Sequence, residues 1–167
     1  MKTSIIILSG TLISGILTIY FLNYIINSRV RKKLSANENP VAVSFLKGGI
    51  FIGSGLIIME NTTSFQALIN ILPSSYTGDN LLIQEVAFFC MYFGILLAVI
   101  LTTFYLSILM FSVISKGKNI FLEVANDNMG AVIMFMGIFI ALILAAKSGV
   151  TPLLDSLIPF PSIPVYR

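Results

Sequence analysis

Apolar residues fall into four runs, Ile5 to Ile26, Val41 to Met59, Val86 to Ile114 and Met129 to Ala146, separated by short polar stretches. A helix crosses a hydrocarbon layer of roughly 30 Å with about 17 to 25 residues, so each run predicts a membrane-spanning helix, the second and fourth near the lower limit. The third is longer than the bilayer needs, above about 40 Å at 1.5 Å per residue, and is expected to tilt or to project into the headgroups. The predicted fold is therefore all-α, a polytopic membrane protein with four transmembrane helices. No separate soluble domain fits between the runs.

The polar stretches are not independent. AlaAsnGluAsnProValAlaValSerPheLeuLysGly from Ala36 to Gly48 returns as AlaAsnAspAsnMetGlyAlaValIleMetPheMetGly from Ala125 to Gly137, six of thirteen positions identical at an offset of 89. Each copy is a polar loop running into an apolar helix, which predicts two two-span repeats, 1–80 and 81–167, within one integral membrane domain. Two-span units enter the membrane in the same direction, so the expected symmetry is a pseudo-twofold axis along the bilayer normal. A looser echo pairs Ala67 to Pro73 with Leu153 to Pro159, both read as short amphipathic stretches lying in the outer interface and ended by proline. The closing proline-rich run from Pro159 to Pro164 is expected to be extended.

Charge sets the expected direction. Arg29, Arg31, Lys32 and Lys33 lie between the first and second runs and Lys116 and Lys118 between the third and fourth, whereas Glu60 to Glu85 contains no cation. The positive-inside rule then places both repeat loops in the cytoplasm and both termini outside. Lys2 is the one early cation, and the apolar stretch behind it outlasts a signal-peptide core with no small-residue cleavage pattern, so it reads as a retained first span.

Composition agrees and narrows the chemistry. Hydrophobic residues make up 57% of the chain and charged residues 10%, with a mean hydropathy of +0.98, against roughly a quarter charged in soluble domains. The net charge of +3 sits beside the apolar segments, which favours lipid headgroups over nucleic acid as its partner. Histidine is absent and Cys90 is the sole cysteine, which removes imidazole-ligated haem, the common zinc sites, thiolate clusters and an internal disulfide. No Ser/His/Asp set, phosphate loop or carboxylate-rich metal motif can be assembled. The expectation is a protein that is not an enzyme and carries no cofactor.

The candidate functional residues lie in and beside the repeated motif. Asn39 and Asn128 stand just before apolar helices, where an amide oxygen can accept from an unpaired backbone N–H, and Pro40 suits the first helical position. Glu38 and Asp127, beside the same starts, complement the positive ends of the helix dipoles. The alternative is a paired polar mouth at the cytoplasmic surface. Small residues recur at helical spacing: Ser44 with Gly48 and Gly49 with Gly53 in the second span, Gly137, Ala141 and Ala145 in the fourth. Such steps allow close helix approach, so spans two and four are expected at the central contact, through Gly48 and Gly137, with one and three outside. A backbone-lined pore along the glycine face is the sharper reading. Lys47, opposite Met136 in the repeat, is the one charge well inside a span; it is a functional candidate, or else its stem snorkels to the cytoplasmic headgroups. Glu60, Glu85 and Lys147 near the outer span ends admit a rim ion pair, and Tyr20, Tyr24, Tyr76 and Tyr92 suit interfacial anchoring.

The stretch from Leu34 to Met59, AsnProValAlaVal followed by GlyGlyIlePheIleGlySerGly, resembles the YjfL-like bacterial inner-membrane family, catalogued as a domain of unknown function. Asn39, Ala42, Gly48, Gly49 and Gly53 match the family pattern in the first copy, and Asn128, Ala131 and Gly137 in the second; Glu38 and Asp127 replace the glycine that often precedes the asparagine. The resemblance implies two copies of a two-span unit in a bacterial plasma membrane, and no activity. Together these readings predict a non-enzymatic membrane module that forms a homo-oligomer or joins a membrane complex. The competing expectation is a small ion or solute channel or transporter using the glycine face and Lys47.

Overall fold

The computed structural model describes residues 2–33, 40–75 and 79–158, and the four apolar runs become helices α1 (Lys2–Val30), α2 (Val41–Ser75), α3 (Asp79–Ile114) and α5 (Met129–Asp155), with a short α4 (Ile120–Ala125) between the last two. All four long helices have the length and apolarity to cross a membrane. The chain is a multi-pass, all-α membrane protein. Its closing proline-rich run, the linker with Glu38 and Asn39, and Tyr76 lie outside the described residues.

Helices α2 and α5 make the most extensive contact, with α1 laid along α2 and α3 against both α5 and α2. This is the expected placement of spans two and four at the centre. The seam between them is built from shape. Phe135 and Phe139 of α5 stack in parallel and meet Phe104 and Phe111 of α3 edge-on, with ring centroids 6.1 to 6.4 Å apart, the offset and T-shaped geometries that the ring quadrupole favours. On its other side Phe139 lies over Gly53 of α2, where a Cβ would stand 2.6 Å from Cε1. The aromatic ring occupies the groove that glycine opens.

The separate interfacial stretch expected at Ala67 to Pro73 is instead the last part of α2. No breaker interrupts the chain after Met59, and Phe65, Leu68, Ile69 and Leu72 recur at helical spacing and are all buried, so packing against neighbours carries the helix onward. Pro73 falls in the last turn of α2, two residues from its end, and cannot donate to the Ile69 carbonyl. With 35 and 36 residues, α2 and α3 reach about 52 to 54 Å, well beyond the hydrocarbon thickness. Residues 153–155, the start of the second echo, likewise continue α5 past Pro152.

Tyr92 is not the interfacial anchor expected of it. It is fully buried, and its hydroxyl donates to the Leu154 carbonyl at 3.0 Å, a second donor to an oxygen that also accepts from the Leu157 N–H at 3.1 Å. Ser14, Thr18, Ser54, Thr103 and Ser107 are also buried, and each donates back to the carbonyl four residues earlier at 2.7 to 2.8 Å. These hydroxyls are satisfied within their own helices.

Candidate functional site

The second copy of the repeated motif sits at the end of the bundle that carries the cations. Here α3 closes with Lys116 and Gly117 in the left-handed region (φ 55° and 85°), and the Gly117 N–H returns to the Ser112 carbonyl at 2.8 Å. Asn119 then caps α4 by accepting from the Phe121 N–H at 2.9 Å. Ile120, Phe121 and Val124 turn into the bundle, so this six-residue helix plugs the basic end of the core. The sequence reading missed it. Its signals were a capping Asn119 and apolar residues at positions one, two and five, too short a pattern to separate from a loop.

α4 ends in a Schellman turn. The Asn128 N–H bonds the Glu123 carbonyl at 3.0 Å, which puts Asp127 at the position where glycine is usual, with φ 54°. Asp127 is placed there for its carboxylate: Oδ1 accepts from the Ala42 N–H at 2.8 Å, the amide in the first turn of α2. The expectation that Asp127 serves its own helix start is therefore corrected. It caps the other central helix, because the left-handed turn points its side chain away from α5 and toward α2. Ala42 is fully buried, so its N–H has no water to turn to.

Asn128 behaves as read from the sequence. It is the N-cap of α5, with Oδ1 accepting from the Ala131 N–H at 3.2 Å. Its amide nitrogen donates to Glu123 Oε2, and Glu123 Oε1 pairs with Lys118 Nζ at 3.4 Å. Ala42 and Ala131 are equivalent positions of the repeat, yet one amide is capped from across the seam and the other locally. Glu38 and Asn39, the first-copy counterparts, lie outside the described residues. Beside these caps a cleft of about 330 Å³ opens between Phe111, Ser115, Lys116, Asn128 and Met134.

Lys47 is half-buried on α2, about 9 Å from the helix start at 1.5 Å per residue. Among the described residues it makes no ion pair, and the charge that acts on it, Arg31, has the same sign. An arrangement in which the stem lies along the helix and the ammonium reaches the basic end fits these neighbours.

The glycines divide differently from the expectation. Gly49 and Gly53 are buried in the seam, where a Cβ at Gly49 would overlap the thioether end of Met136. Beside Gly48 and Gly137 there is open space, and Ser44, Gly137, Ala141 and Ala145 lie on exposed surface. The close approach of α2 and α5 thus runs one residue away from the predicted pair. Met136, the repeat counterpart of Lys47, fills the space over Gly49, and Phe139 fills that over Gly53.

At the other end, Lys147 Nζ pairs with Glu60 Oε1 at 2.8 Å, and the Thr151 hydroxyl donates to Glu60 Oε2 at 3.2 Å. The two helix starts lie about 28 Å from Glu60 and about 27 Å from Lys147 at 1.5 Å per residue, so the pair joins α2 and α5 at one level of the bundle. Glu85 takes no part; it lies beside Phe89 and Phe65 next to α1. Directly after Glu60 and one turn beyond it, Asn61 Oδ1 and Ser64 Oγ are buried with no hydrogen-bond partner in the protein among the described residues.

Among the described residues no group of three or more Cys, Asp or Glu side chains could hold a metal ion. Compared with family models, with curated proteins and with solved structures, the chain finds no match in any of the three.

Proposed function

We propose that this protein is a non-enzymatic module of a bacterial inner membrane, working through assembly with further copies of itself or with a membrane complex, with both termini outside the cytoplasm. The observation that carries this reading is the filled seam. Met136 and Phe139 occupy the space over Gly49 and Gly53, so the feature that favoured a pore is spent on packing. The buried hydroxyls of Ser14, Thr18, Ser54, Thr103 and Ser107 donate to their own backbones. The small-residue surface of Ser44, Gly137, Ala141 and Ala145 and an unpaired face of α1 remain for contacts outside the chain. The resemblance of both loop-helix junctions to the YjfL-like family supports the same compartment.

Native mass spectrometry from lipid nanodiscs tests the assembly, with liposome flux measurements for protons, potassium and polyamines run in parallel. A defined oligomer or co-purifying partner without flux is the expected result. Flux that disappears in Lys47→Met would overturn the reading in favour of a channel or transporter.

A further inference from the structure

Helix α1 touches its neighbours with one side only. Gly10, Ser14, Thr18, Leu22 and Ile26 are buried, whereas the opposite side is open, with Ile16 at 66%, Tyr20 at 73% and Tyr24 at 67% exposure. That open side is not uniformly apolar. Tyr20, Asn23, Tyr24, Asn27 and Arg31 line a groove of about 270 Å³ along it. Among the described residues, the side chains of Asn23 and Asn27 bond only each other, Asn27 Nδ2 donating to Asn23 Oδ1 at 3.3 Å.

Depth makes this arrangement costly. At 1.5 Å per residue Asn23 stands about 9 Å and Tyr20 about 13 Å along the helix from Arg29 at the basic end, both within the first apolar run. An amide offers two donor hydrogens and two acceptor lone pairs, and the internal bond uses one donor of Asn27 and one acceptor site of Asn23. The remainder is left for partners outside the chain, and for Asn23, within the apolar run, water is a scarce one.

We infer that this face of α1 is the self-association surface of the protein, where Asn23 and Asn27 hydrogen-bond their counterparts in a second copy. The inference rests on the proposed assembly function and names its contact. All copies inserted in one membrane share an orientation, and a closed assembly then has its axis along the normal, so each residue meets its copy at equal depth. Few side chains satisfy themselves under that constraint. Lysine, aspartate and glutamate repel their copies, whereas asparagine amides and tyrosine hydroxyls are donor and acceptor at once. The sequence steps support it: Ile13, Ile16, Tyr20, Asn23 and Asn27 recur at intervals of 3, 4, 3 and 4, the seam of a helix pair in which a polar residue fixes register. Arg31 falls at the wet end, where two like charges are screened.

The test uses the full chain in liposomes with Cys90→Ser as background. Single cysteines at Ile16→Cys and Tyr24→Cys are expected to cross-link into dimers under mild oxidation, and Val113→Cys, exposed on α3, is not. Dilution FRET should show association weakened about tenfold or more in Asn23→Leu/Asn27→Leu, given what membrane hydrogen bonds contribute. The cysteine variants keep both asparagines, so they decide the matter even if the double variant misfolds. Three results would overturn the inference: unchanged association in the leucine variant, dimers through Val113→Cys with the α1 cysteines unlinked, or α1 adducts with a different polypeptide. In each of these the assembly function stands with another contact. A strictly monomeric, partnerless protein would remove both.

Discussion

The Asp127 carboxylate caps the Ala42 amide at 2.8 Å, so the loop that starts one central helix also holds the start of the other. The bond joins the two copies of the repeated motif through a buried donor. Asp127 stays in a left-handed conformation that costs a non-glycine residue about 1 kcal/mol or more.

That strain separates two substitutions. Asp127→Ala keeps the strain and loses the cap, and should destabilise the protein by about 1 to 2 kcal/mol. Asp127→Gly loses the cap but relieves the backbone, so its loss should be smaller by about 1 kcal/mol. Unfolding by steric trapping in bicelles measures both. Equal losses would show that the carboxylate and not the backbone sets the cost.

Gly53 should be the least replaceable glycine. A Cβ there meets the edge of the Phe139 ring, which is held by Phe135 and Phe104, so Gly53→Ala should cost about 1 to 3 kcal/mol. Gly49→Ala meets only the flexible end of Met136 and should cost less, and Gly48→Ala should be neutral to within about 0.5 kcal/mol in the monomer. A ranking with Gly48 most sensitive would contradict the observed seam.

Glu60 and Lys147 should couple weakly. Their side chains are 28% and 38% exposed, so a double-mutant cycle of Glu60→Gln and Lys147→Met should give about 1 kcal/mol or less, falling as salt is raised. A coupling of several kcal/mol, insensitive to salt, would mean that the pair is sealed within the hydrocarbon.

Ser64→Ala removes a buried hydroxyl that has no protein partner among the described residues and should be neutral or stabilising by up to about 1 kcal/mol. Thermal denaturation in mild detergent is sufficient to see it. A loss above that size would reveal an ordered water bound between Ser64 and Asn61.

The four spans were readable from hydrophobic length alone, because a bilayer demands long apolar helices whatever packs against them. Asn128 was readable as a cap for the same kind of reason, since capping is local. Asp127 was not. Its partner is 85 residues away, and only the left-handed turn after α4 sends its side chain there. The glycine register shows a related limit: Ser44 with Gly48 and Gly49 with Gly53 are the same pattern one residue apart, and the choice is made by where α5 presents Met136 and Phe139. The continuation of α2 past Met59 also escaped the reading, because Glu60, Asn61 and Thr62 look like a loop until Phe65 and Leu68 find their neighbours.

Bonds at both ends of the α2 and α5 seam restrict how the molecule can move. A slide of one central helix past the other by a single turn, about 5.4 Å, would break the Asp127 bond and the Glu60 pair together and drive Phe139 out from over Gly53. The central pair is therefore a single mechanical body. A motion that keeps these contacts carries α1 or α3 around that body and leaves the two central helices moving as one.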